Sequence, residues 1–225
     1  MLRALVFDLD DTLYFERDFV MSGYRAVARH VADKSGCSYD TVFSAMTETL
    51  DAGGRHMVLP MLLERFPDAS VSMPELIDVY RQHKPAIRLY PGYLALLRKL
   101  SRHYRLGVIT DGLPAVQASK IRALGLRSVM DKIIYTWEYG SEKEKPHPLP
   151  FSMMLQFLRT EPDAALYIGD NPEKDCKGAH GVGMRFVQVC HPASNGNGSG
   201  GSVHENPEFV IETLLQLPQI LQHMN

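Results

Sequence analysis

The chain opens on Leu2-Arg3-Ala4-Leu5-Val6, an apolar run rich in branched side chains, and passes into Phe7-Asp8-Leu9-Asp10-Asp11-Thr12-Leu13. A run this short and apolar predicts a buried strand, and the first acids fall at its carboxyl edge. From Tyr14 to about Tyr90 the pattern turns helical. Phe19, Val20, Tyr24, Val27, Ala28 and Val31 mark one inner face, and Gly36 offers a stop. Asp40 or Thr41 opens a second helix through Val42, Met46 and Leu50, ended by Gly53-Gly54. Met57 to Phe66 predicts a third, and Pro74 in a first turn starts a fourth that ends near His83. No strand pattern interrupts this stretch, so it reads as an all-helical insertion.

Leu89-Tyr90-Pro91-Gly92 marks a return to strand and helix in alternation. Helices are predicted over Tyr93 to Arg102, Ala115 to Leu124 with Gly125 as cap, and Pro148 to Arg159. Strands are predicted over Arg105 to Thr110, Lys132 to Thr136, Ala165 to Gly169 and Met184 to Val189. Such alternation indicates βαβ units and a parallel sheet. Ser194 to Ser202, rich in Gly, Ser and Asn, reads as a surface loop, and Pro207 to Leu221 as a last apolar segment packing back on the sheet. The fold expected is α/β: a Rossmann-like core of residues 1–13 and 90–225 with helices flanking a parallel sheet, and a small helical cap of 14–89.

Composition narrows the class without choosing a function. The 225 residues are 45% hydrophobic and 22% charged, enough apolar material for a sizeable core. A net charge of −2 gives no field favouring nucleic acid or an anionic membrane, so neither is expected as a partner. Cys37, Cys176 and Cys190 are few, odd in number and far apart, which fits a reducing compartment and no zinc set. The first apolar run stops at Asp8, too short for a signal peptide or a membrane span. A cytoplasmic protein, monomer or homodimer, is expected.

The chemistry lies at the strand ends. Asp8 and Asp10 leave the carboxyl edge of the first strand, where open α/β sheets bind ligands. Thr110-Asp111-Gly112 ends the next strand just before a helix, where a hydroxyl and free backbone N–H groups suit a phosphate or simply cap the helix. Lys143 and Lys145 precede a helix; Pro146 fixes the chain direction after Lys145 and makes it the better candidate to reach a phosphate or an acid cluster. Gly169-Asp170-Asn171-Pro172-Glu173-Lys174-Asp175 adds two acids at another strand end. Like charges about 4 Å apart repel by roughly 4 kcal/mol at an effective dielectric near 20, so Asp8, Asp10, Asp170 and Asp175 cluster cheaply only around a cation. An all-oxygen set with phosphate nearby suits Mg²⁺.

Asp8-Leu-Asp10-Asp-Thr12, Thr110-Asp-Gly112, Lys145-Pro146 and Gly169-Asp170-Asn-Pro-Glu-Lys-Asp175, in this order, resemble the haloacid dehalogenase-like superfamily. The resemblance covers nearly the whole chain. It implies that Asp8 is the nucleophile forming an aspartyl-phosphate, and that Asp10 is first the acid for the leaving oxygen and then the base for water. Thr110, with backbone contacts from Asp111 and Gly112, would bind the phosphoryl group, and Lys145 would compensate charge there. Mg²⁺ would be held by Asp8, the Asp10 main-chain carbonyl and Asp170, with Asp175 helping directly or through water. Many relatives have Asn at the position of Asp111, so no essential role is expected for that side chain.

Dehalogenases of the superfamily lack the second acid of the first motif, and Asp10 is present, so a phosphatase is the better reading. A Schiff-base phosphonatase would need a cap lysine, for which Lys34 and Lys84 are the nearest candidates. A phosphomutase and a non-catalytic binding module remain as alternatives. The substrate expected is a small phosphorylated metabolite, a nucleotide or sugar phosphate; the helix with Ala115, Val116, Gln117 and Lys120 resembles the nucleotidase-like branch. In the cap, Gly53-Gly54-Arg55-His56 is a candidate to read the leaving group, chiefly through Arg55. Tyr14, Phe15, Arg17 and Tyr24 are further candidates, with apolar packing the default for the aromatics.

Overall fold

The computed structural model describes residues 1–192 and 207–224. The predicted apolar runs become strands β1 (Ala4–Phe7), β2 (Arg105–Thr110), β3 (Lys132–Tyr135), β4 (Ala165–Gly169) and β5 (Arg185–Val189), with a short β6 (Phe209–Ile211) added. All neighbours are parallel, in the order β3-β2-β1-β4-β5-β6. β1 is therefore central, between β2 and β4, and every one of its residues is buried. The strand order reverses between β1 and β4, which is where a doubly wound sheet opens a crevice at its carboxyl edge.

The chain divides into two compact units, Met1–Glu16 with Arg88–Asn225, and Arg17–Ile87. The second unit carries helices α1 (Glu16–Ser35, whose first residue belongs to the first unit), α2 (Tyr39–Gly53), α3 (Arg55–Arg65) and α4 (Met73–Gln82). The inner face of α1 is the predicted one, with Val20, Tyr24, Val27, Ala28 and Val31 packed among Val42, Met46, Val58, Leu62 and Leu76. Ser38 caps α2 by accepting from the Thr41 N–H, and Ser72 with Glu75 forms a capping box on α4. These caps satisfy helix-end donors that would otherwise lack partners. Lys34, a Schiff-base candidate on sequence, is held by Glu75 at 2.6 Å. Arg17 pairs with Asp51 at 3.1 Å on the surface.

The sheet unit adds α5 (Tyr93–Leu100), α6 (Pro114–Ala123), α7 (Pro148–Leu158), α8 (Lys177–Gly181) and α9 (Leu217–Met224). Alternation along the strands divides the core. Ala4, Val6, Ile109, Ile134 and Tyr167 face Phe151 and Met154 of α7. Tyr14 to Glu16 and Arg88 to Leu89, expected in the cap, lie in the sheet unit, where Tyr14 bridges both to Asp10 and to Leu89. The segment from Pro207 to Leu221, expected only to pack back, instead adds β6 to the sheet edge before α9 begins. The predicted loop of Ser194 to Ser202 lies outside the described residues. No helix among the described residues is long and apolar enough to cross a membrane.

Candidate active site

The reversal point of the sheet brings the strand-end acids together. Asp8 follows β1 directly, and its N–H still bonds to the Ile168 carbonyl at 2.9 Å, which holds it against β4. Asp170 follows β4, and Asp175 ends up beside it because Pro172–Cys176 forms one turn of wide π-helical backbone that runs into α8. Ligand oxygens of Asp8, Asp170 and Asp175 lie within 4.8 Å of one another. The fit requires glycine at 169, since any Cβ there would overlap the Asp175 carboxylate.

Lys145 closes this cluster. Its side chain is 4% exposed, and its ammonium bonds Asp8, Asp175 at 2.7 Å and the Tyr167 hydroxyl at 3.3 Å. Lys143, the alternative on sequence, faces His147 instead, at 3.4 Å. Burial pushes the Asp8 carboxyl up, and Asp175, Asp170 and Asp10 add to this against the opposing Lys145 charge. Burial and then Asp175 push Asp170 up to about 7. Burial lowers the proton affinity of Lys145, but Asp175 and Asp8 outweigh it and hold the ammonium charged. One buried lysine thus stands against three carboxylates, an excess of negative charge made of hard oxygen donors. That donor set fits a divalent cation such as Mg²⁺.

Asp10 does not join the cluster through its side chain. Its Oδ1 and Oδ2 accept from Lys120 Nζ at 2.8 and 2.9 Å, Oδ2 also from Gln117 Nε2 at 3.2 Å, and Oδ1 from the Tyr14 hydroxyl. Burial raises the Asp10 pKa, but the charge of Lys120 and the hydrogen bonds from Lys120, Tyr14 and Gln117 bring it below the ordinary value. Sequence reasoning noticed Gln117 and Lys120 only as a branch signal and named Tyr14 as a candidate to read the leaving group, with apolar packing its default. The spacing of Gln117 and Lys120 on α6, three residues apart on one face, was the available clue to their shared contact.

Thr110 ends β2 with its residue 1% exposed, and its hydroxyl makes no hydrogen bond among the described residues. Gly112 follows at φ +110°, a backbone conformation that favours glycine, against the Gln117 side chain. The Asp111 side chain is engaged in holding the site together. Oδ1 accepts from Thr136 Oγ1 at 2.9 Å and from the Lys145 N–H at 3.1 Å, and Oδ2 from Lys174 Nζ at 3.3 Å. It therefore fixes the backbone that carries Lys145 and does not offer its carboxylate to a phosphate. Arg55 opens α3 in the helical unit, where it is exposed and its charge acts on Tyr24.

A doubly wound parallel sheet gathers acids and a buried lysine where its order reverses, at the carboxyl edge where such sheets bind ligands. A family model described as haloacid dehalogenase-like hydrolase matches residues 5–189, and the chain belongs to that family. It is similar to a glyceraldehyde 3-phosphate phosphatase of Methanocaldococcus jannaschii, 27% identical over 100% of this chain and 99% of that one. Among solved structures it is similar to a 2-haloacid dehalogenase from Pseudomonas syringae pv. Tomato (25% identical, all of both chains, TM-score 0.69). It is also similar to a HAD phosphatase from Thermococcus onnurineus (26% identical, 98% of both chains, TM-score 0.62). The chain is a phosphoric monoester hydrolase of the family.

Proposed function

We propose that this protein is a Mg²⁺-dependent phosphatase that hydrolyses a small phosphomonoester metabolite through an aspartyl-phosphate on Asp8. The observation that carries the reading is the separation of two aspartates two residues apart into different environments. Asp8 sits in the buried acid cluster against Lys145, and Asp10 is held outside it by Lys120, Gln117 and Tyr14. Asp8 lies beside Lys145, whose charge favours the ionised form a nucleophile needs. Asp10 lies outside the acid cluster, held in one place by its donors to exchange protons.

In the first half-reaction an oxygen of Asp8 attacks phosphorus, the bond to the leaving oxygen breaks, and Asp10 delivers a proton to that oxygen. In the second, Asp10 takes a proton from water, the water oxygen attacks phosphorus, and the bond to Asp8 breaks to release phosphate. Acid–base assistance of this kind contributes roughly 10²–10⁴-fold. The Thr110 hydroxyl and the backbone at Gly112 would hold the phosphoryl oxygens, and Lys145 would balance charge on them and on Asp8. Asp8, Asp170 and the Asp10 main-chain carbonyl would hold Mg²⁺, which when bound neutralises charge on the phosphoryl group. Asp175, whose Oδ1 accepts from Lys145 at 2.7 Å and Oδ2 from the Asn171 N–H at 3.1 Å, would help directly or through water.

The name of the Methanocaldococcus relative favours a short phosphorylated metabolite of the triose phosphate kind. The deciding experiment is phosphate release from a panel containing glyceraldehyde 3-phosphate, sugar phosphates and nucleoside monophosphates, with and without Mg²⁺, on wild type and Asp8→Asn. Metal-dependent release lost in the variant supports the reading. Transfer of phosphate between two positions of a sugar without net release would establish a mutase instead.

A further inference from the structure

We propose that Lys120 is a positioning residue for proton transfer, its ammonium fixing the plane of the Asp10 carboxylate so that one group serves both half-reactions. The inference rests on the assignment of Asp10 as the acid–base group and says what keeps that group in place.

Lys120 is 3% exposed on the last turn of α6, and its Nζ bridges both Asp10 oxygens at 2.8 and 2.9 Å. Gln117, one turn earlier on the same face, reaches only Oδ2, and it is itself held by donating to the Asp111 carbonyl. Tyr14, from the segment after β1, reaches only Oδ1. Tyr14 and Gln117 each hold one oxygen with a neutral donor, and Lys120 spans both with a charged one, the strongest of the three restraints on the carboxylate plane. An acid that gives up a proton and then recovers one from water must occupy the same place in both steps. The three donors converge from two separate elements, and Lys120 is the one that joins both halves of the carboxylate.

The test separates a proton donor from a structural charge by the leaving group. An alkyl phosphate departs as an alkoxide that needs the proton, whereas p-nitrophenolate departs without it. In Lys120→Met, kcat/KM for an alkyl phosphate is expected to fall at least about tenfold further than kcat/KM for p-nitrophenyl phosphate. With p-nitrophenyl phosphate, kcat is expected to fall while kcat/KM is largely kept. A burst of one p-nitrophenolate per active site should accompany this, because hydrolysis of the intermediate still needs Asp10 as base. Asp10→Asn serves as reference. A split in Asp10→Asn with an even loss on both substrates in folded Lys120→Met would overturn the proposal and leave the function standing. No split in Asp10→Asn itself would sink the acid–base assignment. If Lys120→Met loses its native circular dichroism, Gln117→Met and Tyr14→Phe carry the test. Each removes one donor from the same carboxylate and should give the same split at smaller size, and an even loss in both overturns the proposal.

Discussion

Lys145 and Asp175 form an ion pair 2.7 Å long in which the side chains are 4% and 1% exposed, and the same ammonium also bonds Asp8. Charges this deep are stabilising only while they are paired. Replacing Lys145 by Met leaves two buried carboxylates without their cation, which is expected to cost about 3–5 kcal/mol of folding stability. Urea unfolding of the metal-free protein measures it. Mg²⁺ should restore part of the loss, and a loss under about 1 kcal/mol would mean that the pair is not desolvated as described.

Asp8→Asn removes the proposed nucleophile while keeping its shape. Phosphate release is expected to drop by at least roughly 10³-fold. Retention of substantial turnover would exclude Asp8 as the attacking group, whatever the effect on metal affinity.

Stability and metal binding should be linked through Asp170. Its carboxyl is pushed up to about 7 in the folded chain by burial and then by Asp175, against about 3.9 when unfolded. Between those values the folded state binds more protons, so this group's contribution to stability falls as pH rises from about 4 to about 7. A cation that binds the ionised carboxylate offsets the loss. The rise in Tm on adding Mg²⁺ is therefore expected to be small near about pH 5 and larger near about pH 7.5. In Asp170→Asn that pH dependence should flatten. An equal rise at both pH values in wild type would remove Asp170 from the metal set.

Asp111 should behave as a fastener. Asp111→Asn keeps an acceptor for the Thr136 hydroxyl and the Lys145 N–H, and should change kcat by only a few-fold. Asp111→Ala leaves those donors unmet, at an expected cost of about 1–3 kcal/mol, and lets Lys145 drift from Asp8 with a clear loss of kcat. Equal activity in the two variants would show that the Lys145 backbone is fixed by other means.

The sheet and the acid cluster were legible because both follow from local rules. Apolar runs ending in acids gave β1 and β4 their place, and Asp8 and Asp170 came with them. β6 was not legible: Phe209–Ile211 is three residues long, and its middle residue is exposed, so no period shows. The surroundings of Asp10 escaped for the opposite reason. Gln117 and Lys120 are polar yet buried, and a reading that sorts residues by hydrophobicity places them on the solvent side. Tyr14 was a candidate with packing as its default, and its hydroxyl bonds Asp10. Asp111 was read by analogy with the Asn of relatives; its partners Thr136 and Lys174 lie 25 and 63 residues away and leave no local trace.

Because β1 is the middle strand, its two neighbours are supplied much later in the chain, and Asp8 meets Lys145 across 137 positions. Closing such distant pairs is slow compared with forming the helices between them. During synthesis the helical unit is complete long before Asp8 has a lysine beside it or a strand β4 to lean on. Asp8 therefore gains its contact with β4 only after Ile168 has been made, well after the helical unit. Recovery of activity in refolding should accordingly track sheet closure and lag behind the return of helix.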